Sequence, residues 1–588
     1  AFYLPALTRL AGMVALNASR WTRALAIYPR NELLKDQLTE TIRQTQRLKP
    51  VLIAAKVRPL QVATFFGPTP KSADQVADGQ YGQAWELLNQ GRVCPFLVCP
   101  NCGGAMIWPE TERARGEERL VCVTGDLALG PEDIVLTRSR LQREPADLLF
   151  TSTEMMNQRL TDSYTCHLFG IGQPANRRPA LVLLDEAHTY AGTHGAQVAY
   201  LLRRWRHRSQ AKPHFVGLSA TLMEAAAFFA QLTGLPFSAV EEVSPERAEI
   251  LQEGMEYMLA LRGDPVSGAS VLSTTIQTGM LLRRVLDHAD RVSEGVFGQK
   301  VFVFTDDLDV TNRMYFSLLD AEGLNAFGQP DLVRHPGGSL ANLRATTQPD
   351  QNRRFLHGQS WQLCENIGHD LDPRTTLRLG RVSSQDSGVD TAAEVIVATA
   401  SLEVGFNDPD VGAVLQHKAP RDPASFLQRK GRAGRSRLMR PWTVVVLSDF
   451  GRDRLAYQGY DLMFDPELRP RELPLANRHV QKMQAAYACL DWLAQELNLL
   501  GKGSIWREAS KPGGTEMARR RQTATAELIA RVLDGGEEAD RLREWLRTSL
   551  GLRGGEEEAL LWEAPRALMT TVLPTLQRRL ATQWTFNE

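Results

Sequence analysis

At 588 residues the chain is too long for one hydrophobic core, and three to five domain-sized units are expected. With 43% hydrophobic and 23% charged residues it is neither fibrous nor compositionally disordered. Lys+Arg and Asp+Glu both total 68, so a polyanion would have to be held by local clusters rather than by net charge.

Seven cysteines are too few for a disulfide scaffold, and their odd number fits a reducing, cytoplasmic setting. No run of eighteen apolar residues occurs, and the first thirty residues lack a charged segment followed by an apolar core, so no membrane partner is expected. The chain opens at Ala1 within an amphipathic helical pattern, Phe2-Tyr3-Leu4-Pro5-Ala6-Leu7, and is expected to continue upstream.

In chain order, short apolar runs end in small, polar or charged residues at Ala24 to Pro29, Gln61 to Phe66, Asp147 to Thr153, Leu181 to Asp185 and His214 to Ser219. Helical stretches separate them, which predicts an α/β domain with a parallel sheet over 1–235. Residues 236–295 read as a helical linker. A second set, at Lys300 to Thr305, Glu394 to Thr399, Gly412 to Gln416 and Trp442 to Leu447, predicts a second α/β domain over 296–455, with an insertion within about 308–392. From 456 to 588 the pattern is helical, broken at Gly513-Gly514, Gly535-Gly536 and Gly554-Gly555.

The strongest chemical signal is Leu181-Val182-Leu183-Leu184-Asp185-Glu186-Ala187-His188. Ligands of open parallel sheets bind at the carboxyl ends of strands, where these carboxylates fall. Asp185 would hold Mg²⁺ through water and Glu186 would polarise the attacking water. Taken alone, the pattern also fits a strand followed by an acidic helix start. Ser219-Ala220-Thr221 follows at the end of the next strand, where its hydroxyls also fit a helix N-cap. Gln428-Arg429-Lys430-Gly431-Arg432-Ala433-Gly434-Arg435 sets arginines among glycines; guanidinium groups can bond two phosphate oxygens at once, although a charged surface turn has the same composition.

Together these motifs resemble the DEAD/DEAH-box type of superfamily 2 helicase over about residues 1–450. Tyr28-Pro29-Arg30-Asn31-Glu32-Leu33 is similar to motif Ia and Thr151-Ser152-Thr153-Glu154 to motif Ic. Asp185 to His188 is similar to motif II, Ser219 to Thr221 to motif III, and Val303-Phe304-Thr305-Asp306 to motif IV. Ala398-Thr399-Ala400-Ser401-Leu402-Glu403-Val404-Gly405 is similar to motif V, and Gln428 to Arg435 to motif VI. The resemblance implies two RecA-like domains of the P-loop NTPase fold driven by ATP and Mg²⁺. Asp185, Glu186, Arg432 and Arg435 would be catalytic. His188, Ser219, Thr221, Gln428, Arg429 and Gly405 would couple to the nucleotide. Pro29, Arg30, Thr151, Ser152, Thr305 and Thr399 would grip a nucleic-acid backbone, with DNA favoured over RNA.

The stretch His188-Thr189-Tyr190-Ala191-Gly192 with Gly195 and Val198 to Arg204 is similar to large bacterial helicases related to MrfA and to Hrq-type DNA-repair enzymes. Gln416-His417-Lys418-Ala419-Pro420 and Arg440-Pro441-Trp442-Thr443 resemble helicases of Dpd-type DNA-modification and phage-defence islands, whose other proteins would then be partners. Two departures stand out. The chain contains no Gly-x-x-x-x-Gly-Lys-Ser/Thr phosphate-binding loop, so truncation after motif I is expected. Motif V has Asn407 where many relatives have aspartate.

Cys94, Cys99, Cys102 and Cys122 form C-x4-C-x2-C-x19-C, which predicts a structural zinc in a zinc-ribbon-like insertion at about 90–125. Because C-x4-C is irregular, another ligand could replace Cys94, and reduced cysteines packed in a loop would share the spacing. The basic run Arg203-Arg204-Trp205-Arg206-His207-Arg208 fits either a DNA-contacting strip or a solvated surface.

Three functions follow from these readings: a helicase or translocase that hydrolyses ATP, serving DNA modification, repair or phage defence; a nucleic-acid-binding scaffold that does not hydrolyse; and a duplex translocase that leaves the strands paired.

Overall fold

The computed structural model describes residues 3–584 except 30, 79–83, 220–221, 250–253, 264–267, 289–292, 384–389, 391, 400–401, 403–407, 467, 469 and 499–501. It divides into two compact units, Ala1–Glu242 with Pro470–Glu588, and Val243–Arg469. Each is built on a six-stranded parallel sheet of the RecA-like type.

In the first unit, β1 (Ala24–Tyr28) and β2 (Val62–Phe65) precede an inserted five-stranded antiparallel sheet. That insertion comprises β3 (Leu87–Leu88), β4 (Gly91–Val98), β5 (Ala105–Pro109), β6 (Leu120–Cys122) and β7 (Ala128–Leu129). The main sheet resumes with β8 (Ile134–Val135), β9 (Leu148–Ser152), β10 (Leu181–Leu184) and β11 (His214–Gly217), in the order β11-β10-β1-β9-β2-β8. Helices cover both faces of a parallel sheet, which is why β1, β2 and β10 are buried at every position and mainly apolar. Only β11, at the edge, exposes part of its length. An aromatic cluster ties the insertion to the end of β2: Phe66 meets Phe96 edge-on at 5.8 Å, and Trp85 lies 6.1 Å from Trp108.

The C-terminal helices Arg478–Glu496, Glu516–Leu533, Glu537–Leu550 and Leu573–Ala581 share a core with Ala196 and Tyr200 of the helix Gly192–Ser209, which follows β10. The Asn477 and Thr515 side chains cap the first two of these helices. Left-handed glycines at Gly535, Gly536, Gly551 and Gly555 provide the breaks between helices.

The second unit contains β12 (Tyr257–Arg262), β13 (Lys300–Phe304), β14 (Leu379–Val382), β15 (Val395–Ala398), β16 (Val411–His417) and β17 (Trp442–Leu447), in the order β12-β17-β16-β13-β15-β14, all parallel. The strand β12 lies in the stretch expected to be helical. As the edge strand it leaves Met258 and Leu259 partly exposed, and its sequence, Tyr257-Met258-Leu259-Ala260-Leu261-Arg262, is apolar but without a β-branched residue, so it reads as readily as helix.

The long insertion before β14 is anchored on Glu322, whose buried carboxylate takes both Nη atoms of Arg284 at 2.8 Å. Ser339 Oγ donates to the same carboxylate at 3.0 Å and the Leu377 amide at 3.3 Å. A buried carboxylate is tolerated here because every partner it needs is present.

Candidate functional site

The carboxyl end of β10 carries Asp185 and Glu186. Asp185 is buried and its carboxyl is pushed up to about 6, by burial first and by the adjacent Glu186 charge second. It accepts the Glu186 amide at 2.8 Å, and among the described residues no cationic side chain forms an ion pair with it. Glu186 adopts a left-handed backbone with φ of 49°, a costly conformation for a residue with a side chain. Three bonds hold it: the Ala187 amide donates to the Leu218 carbonyl at 2.8 Å, and the Thr189 amide and Oγ1 donate to the Glu186 carbonyl at 2.9 and 2.7 Å.

His188 sits beneath this turn, buried, with Nδ1 3.2 Å from Ser219 Oγ and 3.3 Å from Glu186 Oε2. The ends of β10 and β11 are thus joined through one imidazole. Three tyrosines surround Asp185. The Tyr3 and Tyr28 hydroxyls bond each other, Tyr28 stacks on Phe150 at 5.6 Å, and the buried Tyr190 hydroxyl has no partner among the described residues. A Cβ at Gly195 would collide with the Tyr190 carbonyl, so glycine is required where the following helix crosses this turn.

At the strand ends assigned to nucleic acid, two threonine hydroxyls are bonded within the chain. Thr151 is fully buried and its hydroxyl donates to the Phe65 carbonyl at 2.8 Å, within the sheet. Thr305 is likewise buried, bonding the Asp307 carbonyl at 3.0 Å and the Thr311 hydroxyl at 2.5 Å. Both hydroxyls are engaged inside the chain, that of Thr151 across the sheet at the end of β2 and that of Thr305 in the turn that follows β13. Ser152 caps the helix Thr153–Arg159, and Pro29 and Thr399 are half-buried. Arg30, Thr221 and Gly405 lie outside the described residues, as does Asn407.

In the second unit the helix Pro423–Lys430, capped by Asp422, presents the arginine-rich segment. Arg429 is buried and donates to Asp306 Oδ1 at 2.6 Å and to Gln416 Oε1 at 2.7 Å, with its guanidinium 5.5 Å above the Phe304 ring. It therefore clamps the ends of β13 and β16 together. Gln428 and Arg432 are half-buried, Arg432 Nε lying 3.4 Å from the Gln428 carbonyl oxygen, and Arg435 is exposed.

The inserted sheet brings Cys99, Cys102 and Cys122 together, their sulfurs within 4.8 Å of one another. Cys94 is not among them. It is buried in β4, with its thiol pushed up to about 12 by burial. The basic run also departs from both expectations. Arg204 is buried against Asp491 at 2.8 Å and against Asn157 and Gln484, while Trp205 is fully buried. Arg203 donates to the Gln231 carbonyl, and Arg206 to those of Thr233 and Gly234, at the end of the helix Ala225–Thr233.

Arg471 gave no signal in the sequence. Its Nη1 donates to the main-chain carbonyl of His188 at 3.2 Å.

The helicase conserved C-terminal domain family matches residues 381–437. The Lhr helicase/uracil glycosylase of Escherichia coli (strain K12) is 28% identical over 318 residues, which is 50% of this chain and 18% of that protein. Among solved structures, Mycobacterium smegmatis helicase Lhr bound to ssDNA and AMP-PNP aligns over 95% of this chain and 51% of its own, at 16% identity and a TM-score of 0.45. Helicase MrfA bound to DNA and AMPPNP aligns over 82% and 49%, at 15% identity and a TM-score of 0.45. The chain thus spans about half the length of these two structures and 18% of the curated relative. Both sequence matches are thus to helicases, one to a helicase C-terminal domain and one to part of a longer helicase. Among the described residues no helix is long and apolar enough to cross a membrane.

Proposed function

We propose that this chain forms the motor of an ATP- and Mg²⁺-dependent helicase or translocase acting on DNA. The observation that carries this reading is the end of β10. There a buried, cation-poor Asp185 adjoins Glu186 on a left-handed turn, and His188 links that turn to Ser219. A carboxyl raised by burial and by a neighbouring carboxylate is suited to a divalent cation, which would favour its ionised form. Asp185 would hold that cation, which neutralises phosphate charge when bound.

Glu186 would orient water and accept its proton, and His188 with Ser219 would sense the state of that carboxylate. Arg432 and Arg435 would stabilise charge on the transferring phosphoryl group, with Gln428 near them, while Arg429 positions the helix that precedes them. Pro29, Ser152 and Thr399 would meet the sugar-phosphate backbone, a mode of contact indifferent to base sequence. The cysteine cluster would hold a structural zinc. The likeness of 416–420 and 440–443 to helicases of modification islands points to DNA modification, repair or phage defence, with other proteins of such a system as partners.

A second reading, a nucleic-acid-binding scaffold without turnover, would hold if the whole protein has no phosphate-binding loop; these 588 residues contain none. One experiment separates the two: ATP hydrolysis, with and without single-stranded DNA, by the protein expressed from its entire reading frame. DNA-stimulated hydrolysis is expected of the motor, and DNA binding without hydrolysis of the scaffold. A strand-displacement assay then divides helicase from duplex translocase.

A further inference from the structure

The helix Gly192–Ser209 leads away from the acidic turn. At a rise of 1.5 Å per residue, Arg206 lies about 20 Å along it from Gly192. Lys212 comes two residues before β11, whose first residue pairs with Leu181, the first of β10. This end of the helix therefore lies by the amino end of the sheet, opposite the strand ends that carry Asp185. Here a cavity of about 820 Å³ opens between the helices Gly192–Ser209 and Ala225–Thr233 and the end of Glu537–Leu550, all within the first compact unit. That is the volume of a site for a small organic ligand.

The charges around it are of one sign. Arg203, Arg206 and Lys212 line the cavity, burial lowers the His207 imidazole below its ordinary value, and among the described residues no acidic side chain lines it or pairs with these three cations. Part of the charge has a structural use, since Arg203 donates to the Gln231 carbonyl and Arg206 to those of Thr233 and Gly234, at the end of Ala225–Thr233. The three helix ends that meet here carry together roughly one and a half negative charges against three positive ones, which leaves a positive surplus. Donors are left over too. Arg206 Nε is buried without a partner, and the exposed Lys212 ammonium forms no hydrogen bond or ion pair, among the described residues. Phe237 belongs to the same lining and is 65% exposed.

We infer that this cavity binds a nucleotide, with its phosphate on Arg206 and Lys212 and its base against Phe237. Guanidinium and ammonium groups bond phosphate oxygens, and an exposed aromatic ring stacks on any base, so the pairing recognises a nucleotide whatever its sequence context. The nucleotide comes either free or as one unit of a single strand; the recognised chemistry is the same. None of these residues belongs to the acidic turn, so binding here is separable from any event at Asp185.

Photocrosslinking of the full chain tests this, once with azido-AMP and once with a single-stranded oligonucleotide carrying iododeoxyuridine, the crosslinks being located by peptide mass spectrometry. Labelling is expected in the peptides that contain Phe237 or the stretch from Arg206 to Lys212. Labelling there by azido-AMP alone identifies a free nucleotide as the ligand, and labelling by the oligonucleotide identifies a strand. Lys212 and Phe237 are both exposed, so Lys212→Gln and Phe237→Ala should keep the fold, which circular dichroism checks. Each should raise the probe concentration needed for half-maximal labelling of these peptides, Phe237→Ala by at least about fivefold, while labelling elsewhere on the chain is unchanged. Absence of label from these peptides with both probes, or the same concentration dependence in wild type and in both folded variants, would overturn the site.

Discussion

Arg471 reaches from the start of the C-terminal segment to the main-chain carbonyl of His188, 3.2 Å away, so that segment touches the turn that carries both acidic residues. Two residues on, the Leu473 amide donates to Gln231 Oε1 at 2.8 Å, and the Leu473 side chain lies in the core of the first sheet. A charged hydrogen bond of this kind is worth about 1.5–3 kcal/mol where water is excluded, and less at a half-buried site. Arg471→Ala is therefore expected to lower the turnover of DNA-stimulated ATP hydrolysis several-fold with little change in KM for ATP. Arg471→Lys should recover part of the loss. A change in KM alone would show that the contact does not act through the turn.

Glu186→Gln keeps the size of the side chain and its backbone turn but removes the base. If Glu186 accepts the proton of water, hydrolysis should fall by about 10²–10⁴-fold while nucleotide binding persists. Single-turnover hydrolysis and equilibrium binding of a fluorescent nucleotide separate the two quantities. Near wild-type turnover would transfer the role to another residue.

The part of this site that could be read from sequence is the part encoded locally. A four-residue apolar strand followed by two acids is contiguous, and buried parallel strands are apolar throughout, so β10 and its carboxylates stand out without knowledge of the fold. The fate of a polar group depends on distant partners. Arg204 looks solvent-bound until Asp491, 287 residues later, is seen to neutralise it. Thr151 looks like a contact residue until the Phe65 carbonyl, 86 residues earlier, is seen to accept its proton. Cys94 shares a spacing with the three clustered cysteines, but its side chain, on β4, lies in the core. The strand β12 was hidden by its composition: Met258, Leu259, Ala260 and Leu261 favour helix, and no β-branched residue marks it as a strand.

The Arg204–Asp491 pair holds the C-terminal helices to the helix Gly192–Ser209, both side chains being almost wholly buried. Removing one partner leaves the other charge uncompensated in the interior, at a cost of about 3–5 kcal/mol. Asp491→Ala and Arg204→Ala should each lower the urea midpoint and speed proteolytic release of residues 470–588. The double variant Arg204→Met with Asp491→Leu should be less destabilised than either single one, because neither charge then remains. A double variant as unstable as the sum of the two single ones would mean that packing, rather than charge, accounts for the loss.

Protonation should weaken the second unit through two buried histidines. Burial lowers His417 to about 4, with Nδ1 2.8 Å from Thr275 Oγ1, and lowers His369 to about 4, with its Nε2 2.8 Å from the Leu286 carbonyl oxygen. Between the usual histidine value of 6.5 and about 4, the unfolded chain binds more protons than the folded one. Stability should therefore be fully present above pH 6.5 and decline as pH falls toward 4, by an amount on the order of 2–3 kcal/mol for each histidine. Urea unfolding at pH 7.5 and at pH 5, with hydrogen exchange reporting on the β16 amides, measures the change; these pH values are roughly either side of the unperturbed histidine value. His417→Asn should remove about half of this pH dependence even if it costs stability at neutral pH, since an amide can still meet Thr275 but cannot take the proton. Equal pH slopes in wild type and variant would place the titration elsewhere.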